Sequence, residues 1–447
     1  IAEIRMWGHL VGALASDSGA LTSTFEYAPA WRQSNIEIAP LMMPLSDRKY
    51  RFPALNQETY RGLPGLFADA LPDDFGNAVI NAWLSRQGRD VRSFTPIERL
   101  LYTGTRGMGA LEFLPMTNRG TIVDDQLEIQ SLIQMAQRII DQRSGLNKYL
   151  DSPAHSHEVN NEQDEAMKAI LQVGTSAGGA RAKAVIAINQ ERTIIRSGQV
   201  PAPPGFKHYL LKFDGVSEQQ ENQETFGDPQ GYGRMEYAYY LMASEAGINM
   251  EPCELLIEGP RAHFMTRRFD RLGNKKLHFA SLCGMAHADF KKPGAYSYEE
   301  LFAVARQLRL PRADAIELFR RMVFNVVARN HDDHTKNFGF LLADEASSWR
   351  LSPAFDVAYS YKPGSPWVDA HQMSLNGKRD QFEHSDLMAV AQLINNFNEA
   401  EAIITDITSV VSRWPEFAEQ AGVSEPFMQR IKADLRLDLT RGDKPLK

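Results

Sequence analysis

The stretch Asn325-Val-Val-Ala-Arg-Asn-His-Asp-Asp-His-Thr-Lys-Asn-Phe-Gly-Phe-Leu-Leu342 gathers the densest set of chemically active side chains in the chain. Apolar periodicity predicts a helix from about Ala313 to Ala328, and an apolar run predicts a strand from Phe338 to Leu342. A short loop of acids, histidines and amides joins these two elements. Because a rigid element holds each end of the loop, we expect its side chains to have a fixed geometry.

The loop contains Asp332, His334, Lys336 and Asn337, and Asp356 follows in the apolar run Leu351-Ser-Pro-Ala-Phe-Asp-Val-Ala358. Phosphoryl transfer from a nucleotide needs an acid near the acceptor hydroxyl, with an Asn and a second acid to hold Mg²⁺. We therefore predict that Asp332 orients the hydroxyl and that Asn337 and Asp356 give oxygen ligands to Mg²⁺. The alternative is a capped helix end with a solvated cluster of charges.

Length and composition predict a soluble protein with more than one folded unit. At 447 residues the chain exceeds one ordinary hydrophobic core, so we expect two or three packed units. Its 43% hydrophobic and 23% charged residues are typical of soluble globular proteins. No apolar run approaches the roughly 20 residues that span a bilayer, so no membrane contact is expected.

Cysteine content and charge bear on compartment and partners. Only Cys253 and Cys283 are present and no secretory signal is visible, so we expect a reducing cytoplasm. A net charge of −7 argues against coating nucleic acid by bulk electrostatics, although a local basic patch is compatible with it. Lys378 and Arg379 form such a candidate DNA contact, and an ordinary solvated turn is the alternative.

Strand patterns dominate the first half of the chain and helix patterns the second, which predicts an α+β protein with a cleft between two lobes. The predicted units are a β-rich N-terminal subdomain (1–115), a helical connection (116–150), a linker (151–166), the nucleotide-binding sheet of the N-terminal lobe (167–271) and a helical C-terminal lobe with the catalytic loop (272–447). The candidate chemistry lies near the junction of the lobes.

Three further segments carry charged side chains that need an explanation. Small residues before Arg181 and Lys183 could let backbone amides approach phosphate oxygens, and a plain hairpin is equally consistent with them. Lys212 lies alone in an apolar strand pattern, where a buried ammonium needs a partner such as a phosphate or Glu236. Asp73 and the acid after it fit a helix start better than a metal cluster.

Four blocks resemble, in order and separation, those of the HipA-like serine/threonine kinases, the toxin components of bacterial toxin–antitoxin modules. The blocks are Ser176-Ala-Gly-Gly-Ala-Arg-Ala-Lys183, Tyr209-Leu-Leu-Lys212, Arg268-Phe-Asp-Arg271, and Asp332-Asp-His-Thr-Lys-Asn337 with Ser352-Pro-Ala-Phe-Asp356. The last block is the most specific to the family. The glycine block indicates the family only when it occurs together with the last block. The resemblance implies a bilobal kinase-like fold that binds ATP and Mg²⁺.

The resemblance also implies a role for individual residues. Asp332 matches the catalytic Asp, Asn337 and Asp356 match the metal ligands, and Lys212 matches the lysine on the α- and β-phosphates. The other implied ATP-binding residues are Gly178, Gly179, Ala180, Arg181, Ala182 and Lys183 in the phosphate-covering loop, Arg267, Arg268 and Phe269 at the adenine hinge, and His334, Thr335, Lys336 and Phe355. Arg267 departs from the Glu of some members.

Regulation and partners follow from the same resemblance. Ser176 matches a serine that these kinases phosphorylate on themselves, which ends their activity, and Thr175 is the alternative position. The family implies a HipB-type DNA-binding antitoxin, operator DNA bound through the antitoxin complex, and a protein substrate such as an aminoacyl-tRNA synthetase. Lys378 and Arg379 lie near the basic operator-contacting turn of the family.

Two other classes of function are also consistent with the sequence. One is a metal-dependent hydrolase or nuclease built on His331-Asp332-Asp333-His334, because adjacent His and Asp can bind a transition metal. The other is a non-catalytic corepressor that binds an antitoxin on operator DNA.

Overall fold

The computed structural model describes residues 1–17, 19–116, 127, 130–137, 181–215 and 231–440. Their fold is α+β, as the sequence predicts, with most strands in the first part and most helices in the second. The predicted linker and most of the predicted helical connection lie outside these residues, so that division of the chain stays a prediction. No helix in the described ranges is both long and apolar enough to cross a membrane.

The N-terminal unit is a four-stranded antiparallel sheet with short helices. Its strands are β1 (Ala2–Met6), β2 (His9–Ala15), β3 (Thr24–Tyr27) and β4 (Leu111–Leu114), in the order β3-β2-β1-β4. Its helices are α1 (Pro29–Arg32), α2 (Gln57–Tyr60), α3 (Gly65–Asp69), α4 (Asp74–Arg86) and α5 (Pro96–Thr103), with a 3₁₀ turn at Val91–Ser93. Buried Phe25, Phe67 and Phe113 pack between sheet and helices.

The second sheet forms the N-terminal side of the cleft. It contains β5 (Lys183–Ile188), β6 (Ile195–Ser197), β7 (Lys207–Lys212), β8 (Cys253–Glu258) and β9 (Arg261–Arg267), in the order β6-β5-β7-β9-β8 with every pair antiparallel. The register places Lys183 directly opposite Lys212. Helix α6 (Tyr232–Glu245) packs on β8 and β9.

Helix α6 approaches β9 closely because Gly233 has no side chain. A Cβ at this position would overlap the carbonyl oxygen of Ala262 in β9. We expect Gly233→Ala to destabilise the fold by about 1–3 kcal/mol, because the helix must move off the strand. The measurement is chemical denaturation. The control is Ser244→Ala at an exposed position of the same helix, which should not lower stability. Equal stability of both variants would contradict the close approach.

The C-terminal part combines a small sheet with a helical body. The short hairpin β10 (Arg271–Leu272) and β11 (Lys275–Lys276) precedes the sheet of β12 (His278–Ser281), β13 (Gly339–Leu342) and β14 (Arg350–Leu351). The helices are α7 (Leu282–Ala286), α8 (Tyr298–Gln307), α9 (Arg312–Val327), α10 (His384–Ala391), α11 (Ala400–Ser412), α12 (Trp414–Ala421) and α13 (Glu425–Asp434). Helix α9 and strand β13 confirm the two elements predicted on either side of the polar loop.

A buried acid, Asp270, connects the N-terminal unit to the rest of the chain. Its carboxylate is fully buried and accepts from Arg268 Nη2 at 2.6 Å, from Arg271 Nη1 at 2.7 Å and from the backbone N–H of Gly109 at 2.7 Å. Arg271 also donates to the carbonyl oxygens of Gly107 and Gly109. The glycine-rich turn before β4 is therefore clamped from outside its own sheet.

Candidate active site

The polar loop between α9 and β13 is held by contacts with its own backbone and with a later segment. The side-chain amide of Asn337, in the 3₁₀ turn Thr335–Asn337, donates to the carbonyl oxygen of Asp332 at 2.7 Å. The backbone N–H of Asp332 donates to Ser360 Oγ at 3.1 Å. The Asp332 side chain itself is 48% exposed. Its carboxylate is thus available to a substrate on a fixed backbone.

The two adjacent acids of the loop differ completely in their surroundings. Asp333 is 1% exposed, and it accepts from Tyr298 Oη at 2.6 Å, from His371 Nδ1 at 2.8 Å and from the backbone N–H of Gln372 at 2.7 Å. All of these partners belong to the protein interior. Asp333 therefore has a structural role, which leaves Asp332 as the accessible acid.

Lys212 lies at the centre of a charged cluster. Its ammonium donates to Glu236 in α6, one of the two partners that the sequence suggests, and to Asp356 Oδ1 at 2.6 Å. Burial lowers the pKa of Lys212, but Asp356 and Glu236 outweigh it and hold the pKa above the usual value. Lys212 is therefore a permanent cation at the cleft.

Asp356 shares this cluster and has an unusual backbone. Burial raises the pKa of its carboxyl, but Lys212 and Lys183 outweigh that effect and hold the pKa below its usual value. Its φ of +53° lies in the left-handed region, where Asp is tolerated better than most residues. The carboxylate is therefore ionised, as a ligand of a hard cation must be.

Asn337 and Asp356 line one pocket together with the buried Asp333, and its open space including its mouth is about 330 Å³. The Asn337 amide nitrogen donates to Asp332, so its oxygen is the atom left for a cation. One carboxylate and one amide oxygen fit the preference of Mg²⁺ for oxygen ligands, with the rest supplied by water and phosphate. The residues present therefore fit the predicted metal.

The geometry does not favour a transition-metal hydrolase. His331 is fully buried, and its ring packs on His371 with centroids 4.1 Å apart. Burial, His371 and Arg329 hold the pKa of His331 far below its usual value. Within the described residues, no three His, Cys or acidic side chains form a metal-binding group.

The predicted phosphate-covering loop lies only partly within the described residues. Ser176, Gly178, Gly179 and Ala180 lie outside the described residues, as does Thr175. Ala182 is buried, and Arg181 lies 3.7 Å above the Tyr232 ring with an ion pair to Glu236 of 3.6 Å. Lys183 is 2% exposed and pairs with Asp73 Oδ2 at 3.1 Å. Glu236 therefore contacts a second cation in addition to Lys212.

The predicted adenine hinge is partly engaged by contacts within the chain. The guanidinium of Arg268 is buried against Asp270, and an adenine contact through the backbone of this segment stays a prediction. Arg267 pairs with Glu251 at 3.7 Å. Phe269 and Phe355, with ring centroids 5.4 Å apart, form an aromatic wall with Phe279 beside the pocket.

The other side chains of the polar loop contact neighbouring residues of the protein. His334 lies 3.7 Å from Asp332 Oδ1, and its ring contacts Phe290. Lys336 Nζ lies 4.7 Å from the centroid of the same Phe290 ring. Thr335 is buried and donates to the carbonyl oxygen of Ala288 at 2.6 Å, so its hydroxyl is already engaged.

The candidate DNA-contacting residues have partners within the chain. Lys378 pairs with the buried Asp386 at 2.8 Å and stays 41% exposed. Arg379 donates from Nε to the carbonyl oxygen of His371 at 2.7 Å. Both side chains stabilise their turn, and a DNA contact there stays a prediction.

A lysine paired with a helix glutamate, an exposed acid on a fixed loop and an Asn–Asp pair lining one pocket are the features of a kinase-like cleft. The family comparisons agree with this class. The HipA-like C-terminal domain matches residues 175–414 and the HipA N-terminal domain matches residues 2–114. Since the first match alone covers more than half of the chain, the chain belongs to the HipA family.

Two individual proteins show how far the similarity extends. The Y4mE protein of Sinorhizobium fredii, a candidate kinase by name, is 22% identical over 273 residues, which cover 57% of this chain and 53% of the relative. The chain thus spans about half the length of that curated relative. A Shewanella oneidensis HipA, solved with HipB and operator DNA, superposes over 97% of this chain and 95% of that chain with a TM-score of 0.66 at 16% identity. At that identity the match shows the fold alone.

Proposed function

We propose that the chain is an ATP- and Mg²⁺-dependent serine/threonine protein kinase and the toxin of a toxin–antitoxin module. The observation that carries this proposal is the joint placement of Asn337 and Asp356 in one pocket, with Lys212 bonded to Asp356 and Asp332 exposed on the adjoining loop. A merely structural acid cluster would not need this combination of an exposed acid and a paired buried lysine.

The residues of the chain divide the work of phosphoryl transfer. Lys212 is held by Glu236 and would contact nucleotide phosphates as a fixed cation. Asp332 would accept the proton of the attacking hydroxyl, or orient that hydroxyl, from its exposed carboxylate. Asn337 and Asp356 would hold Mg²⁺, which when bound neutralises negative charge on the phosphates.

Self-inactivation and partners complete the proposal. Phosphorylation of Ser176 would add nearly two negative charges beside the nucleotide phosphates and repel ATP. The antitoxin would be of the HipB type, and DNA would be bound through the complex. This part is supported by family membership and by the Shewanella HipA, which was solved with HipB and operator DNA. The cellular substrate would be a protein, for which an aminoacyl-tRNA synthetase is one candidate.

The proposal predicts phosphate transfer by the purified chain. With Mg²⁺ and γ-labelled ATP we expect label on the peptide that contains Thr175 and Ser176 and on a protein of a bacterial lysate, and no label with a chelator present. Mass spectrometry of that peptide distinguishes Ser176 from Thr175. Absence of label from both the chain and the lysate, combined with operator binding beside an antitoxin, would favour the corepressor instead.

A further inference from the structure

Two lysines lie side by side on the cleft face of the second sheet. Lys183 in β5 and Lys212 in β7 are directly opposed in the antiparallel register, so their side chains project to the same face. Both are buried. Two neighbouring buried ammonium groups repel each other, so each needs its own counter-charge.

Each lysine has an acid that comes from outside the sheet. Glu236 of α6 contacts Lys212. Asp73, in the N-terminal unit, lies 3.1 Å from Lys183, and its side chain is 3% exposed. Lys212 thus has Glu236 in addition to Asp356, whereas the acid that faces Lys183 comes from a unit that precedes the nucleotide-binding sheet.

Asp73 is held by both of its carboxylate oxygens. Oδ1 accepts from the backbone N–H of Gly76 at 2.6 Å and so caps helix α4, while Oδ2 faces Lys183. Just after the cap, the side chain of Asn77 donates to the carbonyl oxygen of Pro72 and accepts from Arg99 at 2.8 Å. The position of the carboxylate is therefore set by the N-terminal unit.

We propose that Asp73 is a positioning residue of the phosphate-binding cleft, which fixes the ammonium of Lys183 beside that of Lys212. The inference rests on the proposed function, since it assumes that the cleft takes ATP. When a fixed acid holds a lysine in place, the lysine can bind a polyphosphate without rearrangement of its side chain, which favours binding. The N-terminal unit would thus supply part of the nucleotide site in addition to its role in the fold.

The test measures binding of MgATP and of adenosine to the full chain. Asp73→Asn removes the acid that faces Lys183 but keeps the cap, since Asn and Asp cap helices equally well. We expect this substitution to weaken the binding of MgATP by about tenfold or more and to leave the binding of adenosine unchanged, because only the phosphates would contact Lys183. Asp74→Asn, at the exposed neighbouring position of the same helix, should bind both ligands as the wild type does.

A second comparison holds even if Asp73→Asn alone does not fold. The double variant Asp73→Asn/Lys183→Gln leaves no buried charge in this pair, and it should bind MgATP as Lys183→Gln alone does. A further loss in the double variant, an equal loss for adenosine, or unchanged MgATP binding by Asp73→Asn would overturn the inference. Failure of the wild type to bind MgATP would instead overturn the proposed function, and this inference with it.

Discussion

Asp332→Asn is expected to lower phosphate transfer by about 10²–10⁴-fold, which is the usual contribution of a positioned general base. The side chain is 48% exposed, so the free energy of unfolding should change by no more than about 0.5 kcal/mol. The measurement is incorporation of label from γ-labelled ATP, with denaturation of the same preparation. Asp406→Asn, at an exposed position of α11, should retain full transfer.

The neighbouring acid provides the sharper comparison. Asp333 is buried and accepts from Tyr298, His371 and Gln372, so Asp333→Asn should lower stability as well as transfer. Loss of transfer without loss of stability is therefore expected for Asp332→Asn alone. If Asp332→Asn transferred phosphate at the wild-type rate, Asp332 would not be the catalytic acid.

Asp270→Asn is expected to destabilise the protein by about 3–5 kcal/mol, since breaking a buried ion pair leaves charge without compensation. Here two guanidinium groups, of Arg268 and Arg271, would lose the carboxylate that lies 2.6 and 2.7 Å away. Chemical denaturation measures the loss. Asp344→Asn, which breaks an exposed ion pair with Lys275, is the control and should change stability little.

The same carboxyl predicts a pH dependence. Burial raises the pKa of Asp270, but Arg268 and Arg271 outweigh it, so the pKa in the folded state lies well below the usual value. The ionised carboxyl therefore contributes fully to the free energy of unfolding above the unfolded-state pKa of about 3.9. This contribution is lost as the pH falls toward the folded-state pKa. In acid, the wild type should lose more stability than Asp270→Asn. If both proteins lost stability equally in acid, Asp270 would not be the group responsible for the pH dependence.

Local patterns in the sequence predicted the elements on either side of the polar loop and one contact of the candidate site. The helix before the polar loop, the strand after it and the pairing of Glu236 with Lys212 all follow from residues whose period or isolation is visible along the chain. Apolar periodicity identifies a buried face, and a lone lysine on such a face needs an acid. These predictions were confirmed because the residues that determine each feature lie close to one another in the sequence.

Contacts between distant segments were not visible in the same way. Asp73 fits a helix start, and the structure confirms that it caps α4, yet nothing around it indicates its second partner, Lys183. The resemblance places Arg268 in the adenine hinge, but it does not indicate that the Arg268 side chain is buried against Asp270. The sequence already favours Asp332 over Asp333, but it does not show that Tyr298 and His371, from other segments, surround Asp333.

The Asp270 clamp has a practical consequence for dividing this chain into pieces. A fragment without the first 116 residues would lack Gly107 and Gly109, and with them the amide and carbonyl groups that Asp270 and Arg271 engage. The carboxylate of Asp270 and the guanidinium of Arg271 would lose these partners and would lie at a surface that the N-terminal unit covers in the whole chain. Studies of the candidate active site should therefore use the whole chain, or supply the missing residues in trans.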